Sequence, residues 1–177
     1  MLLMVVKMLK KRLGAEGIEK DWRFLQHYYK IPSSLIIPEG VVKIRYRAFA
    51  NCRGLEEVVI PESVVEVGIR AFFECDRLEK VVIPDSVMKI ERNTFYGCKR
   101  LREVVIPESV KEIERSAFEN CISLKEVVIP KSVEYIGDFA FAGCLNLRKV
   151  EIPESVKYNR RRSVFAGCRN VKKEIRN

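Results

Sequence analysis

The sequence predicts an α/β repeat solenoid, in which about six copies of one 23-residue unit stack along a single axis. The prediction rests on three residue types that recur with this period. Prolines recur in steps of 23, at Pro38, Pro61, Pro84, Pro107, Pro130 and Pro153. Phenylalanines and cysteines recur with the same step until the last, which is 24, from Phe49 to Phe165 and from Cys52 to Cys168. One unit is too small to bury its own apolar side chains, so the copies must stack to build a common core.

Each unit reads L-x-x-V-V-I-P-E-S-V-x-x-I-x-x-x-A-F-x-x-C-x-x, and its parts predict local structure in chain order. The segment L-x-x-V-x-I has the period-2 ending and the β-branched residues of a strand. Pro-Glu-Ser predicts a turn, because proline fixes φ and the serine hydroxyl can bond nearby backbone groups. V-x-x-I is a second short extended piece, and A-F-x-x-C suits a single helical or 3-10 turn. Stacked at about 4.8 Å, six parallel strands give a rod of about 30 Å.

The repeat predicts which side chains form the core. In the stretch 101–113, Leu101, Val104 and Ile106 face inward and Val105 faces outward. The leucines and isoleucines form internal columns, and the phenylalanines fill the middle. The six cysteines are expected to form a column of buried free thiols, because equivalent Cβ atoms in a stack point in parallel rather than towards each other. Their spacing also lacks the convergence on one point that a metal site requires.

The two ends are predicted to be caps of this one structural domain. Residues 1–34 form a helical N-terminal cap, residues 35–152 the solenoid, and residues 153–177 a degenerate, basic C-terminal capping repeat. The cap prediction rests on apolar residues at i, i+4, i+7 and i+11, which are Ile18, Trp22, Leu25 and Tyr29. At the other end Val171 takes the leucine position and Glu174 the inward valine position, as expected of a terminating repeat.

The net charge of +9 is concentrated at the ends. Residues 1–31 carry net +4, residues 153–177 carry +6, and residues 32–152 carry −1. The favoured interpretation is that the positive ends repel and discourage head-to-tail stacking of solenoids. The alternative is binding of an anionic polymer or membrane surface by a basic set at the C-terminal end: Arg160, Arg161, Arg162, Lys172 and Lys173. Nucleic acid is not favoured, because neither an aromatic stacking platform nor a nucleic-acid motif accompanies these charges.

The sequence carries little that points to catalysis. It has one histidine, His27, in the predicted cap, and lacks the G-x-G-x-x-G, phosphate-loop, C-x-x-C and H-E-x-x-H motifs. We therefore expect a protein that is not an enzyme and that uses neither cofactor nor metal. No apolar run reaches the roughly 20 residues of a membrane-spanning helix. The first residues place apolar side chains before the charges, unlike a signal peptide, so the expected compartment is cytoplasmic, or extracellular if an export signal was removed.

The unit closely resembles the BspA-like, or Treponema-type, class of leucine-rich repeats, with the motif L-x-x-I-x-I-P-x-S-V-x-x-I-G-x-x-A-F-x-x-C. The resemblance covers residues 35–171. It implies a curved, right-handed leucine-rich-repeat solenoid with a parallel concave β-sheet and short helical or 3-10 turns on the other side. Many members of this family are microbial surface or secreted proteins that adhere to host proteins. The resemblance therefore also implies a role as a surface adhesin. The chain departs from this picture because its first residues do not form a convincing export signal.

In a leucine-rich repeat, the x positions of L-x-x-V-x-I lie on the concave surface. Two columns of this sequence occupy those positions: the apolar Ile36, Val59, Val82, Val105 and Val128, ended by Glu151, and the charged Glu57, Lys80, Glu103, Glu126 and Lys149. Parallel strands favour β-branched residues on either face, which would make the valines simple strand filler. However, a water-exposed face normally alternates to polar residues, and an apolar strip rimmed by mixed charge is typical of a contact surface.

The predicted function is therefore a protein-interaction scaffold that binds a protein partner, or a second copy of itself, through the five apolar residues and the five residues of the charged column. The valines would supply apolar contact, and the Glu/Lys column would set register and partner choice. The alternatives are anion binding by the basic ends, a microbial surface adhesin, and an engineered repeat scaffold. Divergence between repeats, such as Asn93 and Thr94 where other units have alanine before phenylalanine, argues mildly against pure consensus design.

Overall fold

The structure is a computed structural model that describes residues 32–158, 164–169 and 171–176. Two strands alternate along each repeat. The first sheet contains β1 (Ser34–Ile36), β3 (Glu57–Val59), β5 (Lys80–Val82), β7 (Glu103–Val105), β9 (Glu126–Val128), β11 (Lys149–Pro153) and β13 (Lys172–Arg176). The second sheet contains β2 (Lys43–Ile44), β4 (Glu66–Val67), β6 (Lys89–Ile90), β8 (Glu112–Ile113), β10 (Tyr135–Ile136) and β12 (Lys157–Tyr158).

All paired strands are parallel, and every pair except β10–β12 keeps the 23-residue register of the repeat. Strands β1, β3, β5 and β7 form one ladder, β9, β11 and β13 form another, and β7 and β9 lie in contact between them. Val58 pairs with Val81, and Val81 with Val104, so each residue lies opposite its equivalent 23 positions later. The second sheet pairs β2 with β4 and runs from β6 to β12. Its register is also 23 residues, except at β12, where Lys157 lies opposite Tyr135, 22 positions earlier. The predicted parallel-sheet solenoid of about six turns is therefore confirmed.

The core of the solenoid is a stack of phenylalanine rings. Phe72, Phe95 and Phe118 are at most 1% exposed, and their ring centroids lie 5.5 and 5.3 Å apart with nearly parallel planes. The stack continues to Phe49 at one end and to Phe165 at the other. Offset parallel rings at this separation are a favourable arrangement, so each repeat is positioned against its neighbours by its own ring.

The A-F-x-x-C segments form hydrogen-bonded turns, and no helix is present among the residues that the structure describes. The predicted helical or 3-10 turns, and with them the α/β class, are therefore not seen there. Successive amides alternate between two kinds of acceptor: that of Tyr96 donates to Asn93 within the turn at 3.2 Å, whereas that of Phe95 donates to Ala117 of the next repeat at 2.8 Å. In a helix, every amide after the first turn donates to a carbonyl of the same helix. Here every second amide donates to the next repeat instead, so these hydrogen bonds link the repeats.

Backbone conformation supports the same turn geometry. Asn93 and Gly97, on either side of Phe95, have φ of 56° and 71°. The left-handed region is costly for most residues, yet Arg47, Arg70 and Ser116 also occupy it at the position equivalent to Asn93. The bonds between repeats hold these residues there, because each of these amides donates to a carbonyl of the following repeat.

The serine of each Pro-Glu-Ser turn also joins neighbouring repeats. The Ser109 hydroxyl donates to the Val87 carbonyl of the preceding repeat at 2.8 Å, and Ser132 bonds the Val110 carbonyl in the same way. Ser63 accepts a bond from the Gly40 amide and donates to the Val41 carbonyl. The serine that recurs in this turn therefore joins neighbouring repeats in addition to its predicted role in the turn.

Of the two predicted caps, only the C-terminal one can be compared with the structure. The predicted helical cap lies almost entirely in residues 1–31, outside the described residues, and the proposed domain boundaries remain a prediction. At the C-terminal end the register of β13 differs from the prediction: Lys173, not Glu174, lies opposite the inward Val150. Glu174 lies opposite Glu151 on the outer face, because pairing in β11–β13 follows a step of 23 despite the residue inserted in the sixth repeat.

Candidate functional site

The outer face of the first sheet carries a continuous row of exposed apolar side chains. We call it the valine strip; it consists of Ile36, Val59, Val82, Val105 and Val128. These side chains are 45–59% exposed. The residue immediately before each of them on its strand is at most 6% exposed. Val59 lies opposite Val82, and Val82 opposite Val105, so the members are adjacent rungs of one ladder. Four steps of about 4.8 Å make the strip about 19 Å long.

A charged column runs beside the valine strip on the same face. Its predicted members Glu57, Lys80, Glu103 and Glu126 are exposed, and Lys149 is half-buried. Side chains two residues apart on a strand point the same way, so Glu57 and Val59 share a face. The register places Glu57 opposite Lys80 and Lys80 opposite Glu103. The structure thus brings all ten predicted contact residues together on one surface, without showing what binds there.

An ion-pair cluster ends the valine strip. The Lys149 ammonium lies 2.8 Å from Glu151 and 3.1 Å from Glu174, and the Lys172 ammonium lies 3.1 Å from Glu174. Hydrogen bonds to Glu151 and Glu174 raise the pKa of Lys149, and those from Lys172 and Lys149 lower the pKa of Glu174. The apolar row therefore changes to a charged network in the sixth repeat, which gives the strip a defined end.

The alternative basic site is only partly within the described residues. Arg160, Arg161 and Arg162 lie outside them, whereas Lys172 and Lys173 lie on β13. Lys172 is paired with Glu174, and the Lys173 ammonium sits 4.9 Å from the centre of the Phe165 ring at the end of the phenylalanine stack. Both lysines therefore already have contacts within the chain, although their ammonium groups remain accessible to solvent.

The cysteine column has the predicted burial, and all six cysteines are free thiols. Five are buried, and each thiol from Cys75 onwards donates to a phenylalanine carbonyl of the preceding repeat, as Cys98 does to Phe72 at 3.3 Å. Burial raises the pKa of the Cys98 and Cys121 thiols, which keeps them protonated and unreactive. Cys168 is half-buried, and its interaction with the neighbouring Cys144 thiol lowers its pKa.

Neither a metal-binding group nor a membrane-spanning helix is found among the described residues. Within the part of the chain that the structure describes, no group of three or more His, Cys, Asp or Glu side chains could hold a metal ion. None of the described residues belongs to a helix long and apolar enough to cross a membrane.

A cavity of about 380 Å³ that the sequence analysis did not find lies beside the cysteine column. Its lining has mixed charge, with Arg53 and Lys99 near Glu74 and Asp76, and the buried Oδ1 of Asp76 has no hydrogen-bond partner in the structure. Tyr96 closes one side and accepts a bond from Asn120. These residues flank the repeated cysteine at positions that vary from unit to unit, so no repeated signal pointed to them.

Comparison with known proteins assigns the chain to a family. The chain matches the family described as BspA type leucine rich repeat region, with six copies of the repeat over residues 26–138 and 89–175. The chain belongs to this family. The solved structure of a T. pallidum leucine rich repeat protein has a TM-score of 0.72 and 31% identity, covering 83% of this chain and 70% of that one. No curated protein matches the chain.

Two longer bacterial proteins of known structure share the fold. A leucine-rich repeat protein from Bacteroides ovatus has a TM-score of 0.67 and 33% identity over 81% of this chain and 45% of that one. A leucine rich cell surface protein from Faecalibacterium prausnitzii has a TM-score of 0.55 and 30% identity over 82% of this chain and 32% of that one. The chain thus spans less than half of each of these two proteins, and their similarity to it is that of the repeat array.

Proposed function

We propose that this leucine-rich-repeat protein is a non-enzymatic interaction scaffold that binds a protein partner through the valine strip and its charged column. The observation that carries the proposal is the exposure of five successive apolar side chains on one ladder, at 45–59%. Apolar surface that is continuous over several rungs gains free energy when a partner covers it, at about 25 cal/mol per Å². The adjacent Glu/Lys column supplies charges that discriminate between partners.

A microbial surface adhesin is the form of this role that the family resemblance implies. The cell surface protein of Faecalibacterium prausnitzii supports that setting, since it shares the repeat array at 30% identity. The valine strip would then contact a protein outside the cell. Anion binding by the basic ends remains a separate prediction, which salt distinguishes: binding by lysines and arginines weakens steeply with ionic strength, whereas apolar contact barely responds.

The test combines a double substitution with a charge-matched control. Val82→Lys/Val105→Lys puts two charges on the strip without touching the core, because both side chains are exposed. Glu62→Gln/Glu108→Gln raises the net charge equally at exposed turn residues outside the strip. Full burial of one valine contributes about 1.5 kcal/mol at the low end. Val82 and Val105 are 49% and 57% exposed, so a partner can supply about half of this at each, and losing both contacts should weaken partner binding roughly tenfold.

Light scattering and partner capture read the outcome. If the wild type is a dimer and Val82→Lys/Val105→Lys a folded monomer, the partner is a second copy. If a captured protein is lost from that variant and retained by the control, the partner is another chain. A partner retained equally by both variants would show that the strip is strand filler, and the proposed function would be wrong.

A further inference from the structure

A second group of exposed apolar side chains flanks the first strands of the second sheet. We call it the N-terminal patch; its members are Val42, Val65, Met88, Tyr46 and Ile69, which are 40–61% exposed. Val42, Val65 and Met88 each precede a strand of the second sheet and occupy equivalent positions in the first three repeats. The Val65 amide donates to the Val42 carbonyl at 2.9 Å, so these residues are stacked neighbours. The sequence repeat alone did not indicate this patch, because its members are not the same residue.

The later repeats provide an internal comparison for the N-terminal patch. The position of Val42, Val65 and Met88 is occupied by Lys111, Glu134 and Lys157 in repeats four to six. Repeats four and five form the same strands in the same 23-residue register as repeat three, with Lys89 opposite Glu112 and Glu112 opposite Tyr135. Strand formation therefore does not require an apolar residue here, and it does not explain the apolar side chains of repeats one to three. A segment that covers only this end of the solenoid would explain them.

The chain itself contains an apolar segment at that end. Residues 1–31 precede the first repeat and join it at Pro32, next to β1. The predicted cap uses apolar residues between 18 and 29, which leaves residues 2–13 without an assigned surface. Within residues 2–13, apolar side chains recur at i, i+3, i+4, i+7 and i+11, typical of one face of a helix: Leu2, Val5, Val6, Leu9 and Leu13.

The charge of residues 2–13 and the length of the chain that joins them to the first repeat both fit binding at the N-terminal patch. Exposed carboxylates lie three residues before each valine or methionine of the patch, at Glu39, Glu62 and Asp85. Residues 2–13 carry four basic residues and no acidic one. The patch extends over two strand steps, or about 10 Å, along the solenoid. The 18 residues from 14 to 31 span about 27 Å if helical and about 60 Å if extended, enough to bring residues 2–13 from Pro32 to repeat three.

We propose that residues 2–13 bind the N-terminal patch of the same chain, with their apolar side chains on Val42, Val65 and Met88 and their basic side chains beside Glu39, Glu62 and Asp85. The contact ties the N-terminal segment across the first three repeats. It leaves the valine strip uncovered, because the strip lies on the other sheet, and it does not depend on the proposed function.

Hydrogen exchange of the full chain, read by mass spectrometry on peptides covering residues 2–13, tests the contact. We expect these amides to exchange at least about tenfold more slowly than in a synthetic peptide of the same sequence. In Val65→Lys/Met88→Lys they should exchange at the rate of the free peptide, because the substitutions remove apolar contact and add repulsion from the basic segment. The matched control is Val82→Lys/Val105→Lys, which adds the same charge to the valine strip and should leave this protection unchanged.

The same data monitor folding, since peptides from the phenylalanine stack must stay protected in both variants. The milder Val65→Thr/Met88→Gln should give an intermediate loss. Wild-type residues 2–13 that exchange freely would overturn the proposal, as would protection that survives Val65→Lys/Met88→Lys. Protection that rises with protein concentration, together with a dimer in light scattering, would also overturn it by showing that a second copy supplies the segment.

Discussion

The substitution Phe95→Ala tests whether ring stacking holds the repeats together. Phe95 is 1% exposed and lies between the rings of Phe72 and Phe118, 5.5 and 5.3 Å away. Truncation of a buried phenylalanine to alanine costs about 3–5 kcal/mol, through lost apolar burial and the cavity that remains. A repeat array transmits this loss, because every unit is stabilised mainly by its neighbours. We expect a large fall in the free energy of unfolding, measured by circular dichroism during urea denaturation.

Two matched variants separate ring stacking from volume. Phe95→Leu refills much of the cavity but removes two ring pairs, each worth about 0.5–1.5 kcal/mol, so it should cost roughly 1–3 kcal/mol. Phe165 lies at the end of the stack, and among the described residues its ring pairs with that of Phe141 alone, 5.7 Å away, so Phe165→Ala should cost less than Phe95→Ala. A Phe95→Ala variant within about 1 kcal/mol of the wild type would refute the reasoning. So would equal losses in Phe95→Ala and Phe165→Ala.

Three further predictions concern individual side chains. In the native protein Cys168 should be the only thiol among the six to react quickly with a disulfide reagent, and equal reaction of all six would contradict the buried column. Ser109→Ala should lower the free energy of unfolding by about 0.5–1.5 kcal/mol, because it removes the bond to Val87; an unchanged urea midpoint would argue against it. Burial raises the pKa of Glu114, but the hydrogen bond and charge of Lys89, the Arg115 amide and the charge of Arg92 together outweigh burial, so the net pKa is lowered. Stability should therefore fall as pH drops below about 4.3, and less steeply in Lys89→Met than in the wild type, which a urea titration at several pH values would detect.

The repeated residues made much of the fold predictable. Proline, phenylalanine and cysteine at a fixed period specified the stacking, and the alternation around Val104 and Val105 specified which face is buried. The same alternation predicted the surface that carries the valine strip. These features depend on positions where all repeats agree, and agreement within one chain is visible without any structure.

What the sequence did not indicate depends on bonds between repeats. The A-F-x-x-C segments looked helical because their apolar spacing suits a helical turn, but alternate amides bond the next repeat and residues such as Arg47 and Ser116 adopt positive φ. Nothing in an arginine or a serine signals that conformation. The position of Glu174 was wrong because the residue inserted in the sixth repeat is absorbed before β13, and backbone pairing sets the register.

The N-terminal patch was overlooked for the opposite reason. A search for sameness between repeats passes over positions that differ, and Val65, Met88 and Lys111 differ. Only their shared exposure just before successive strands of the second sheet identifies a surface that changes from apolar to charged along the solenoid. In a repeat protein, the regular positions therefore explain the fold, and the irregular ones are informative about what each part of the surface contacts.

Photo-crosslinking tests the central claim most directly, that the valine strip is the face that contacts protein. A photoreactive amino acid is placed at position 105 in one protein and at position 111 in another; both positions are exposed, and the second immediately precedes strand β8 of the other sheet. We expect a defined protein adduct, to a partner or a second copy, from position 105 and none from position 111. Adducts of equal yield from both positions, or from position 111 alone, would contradict the account.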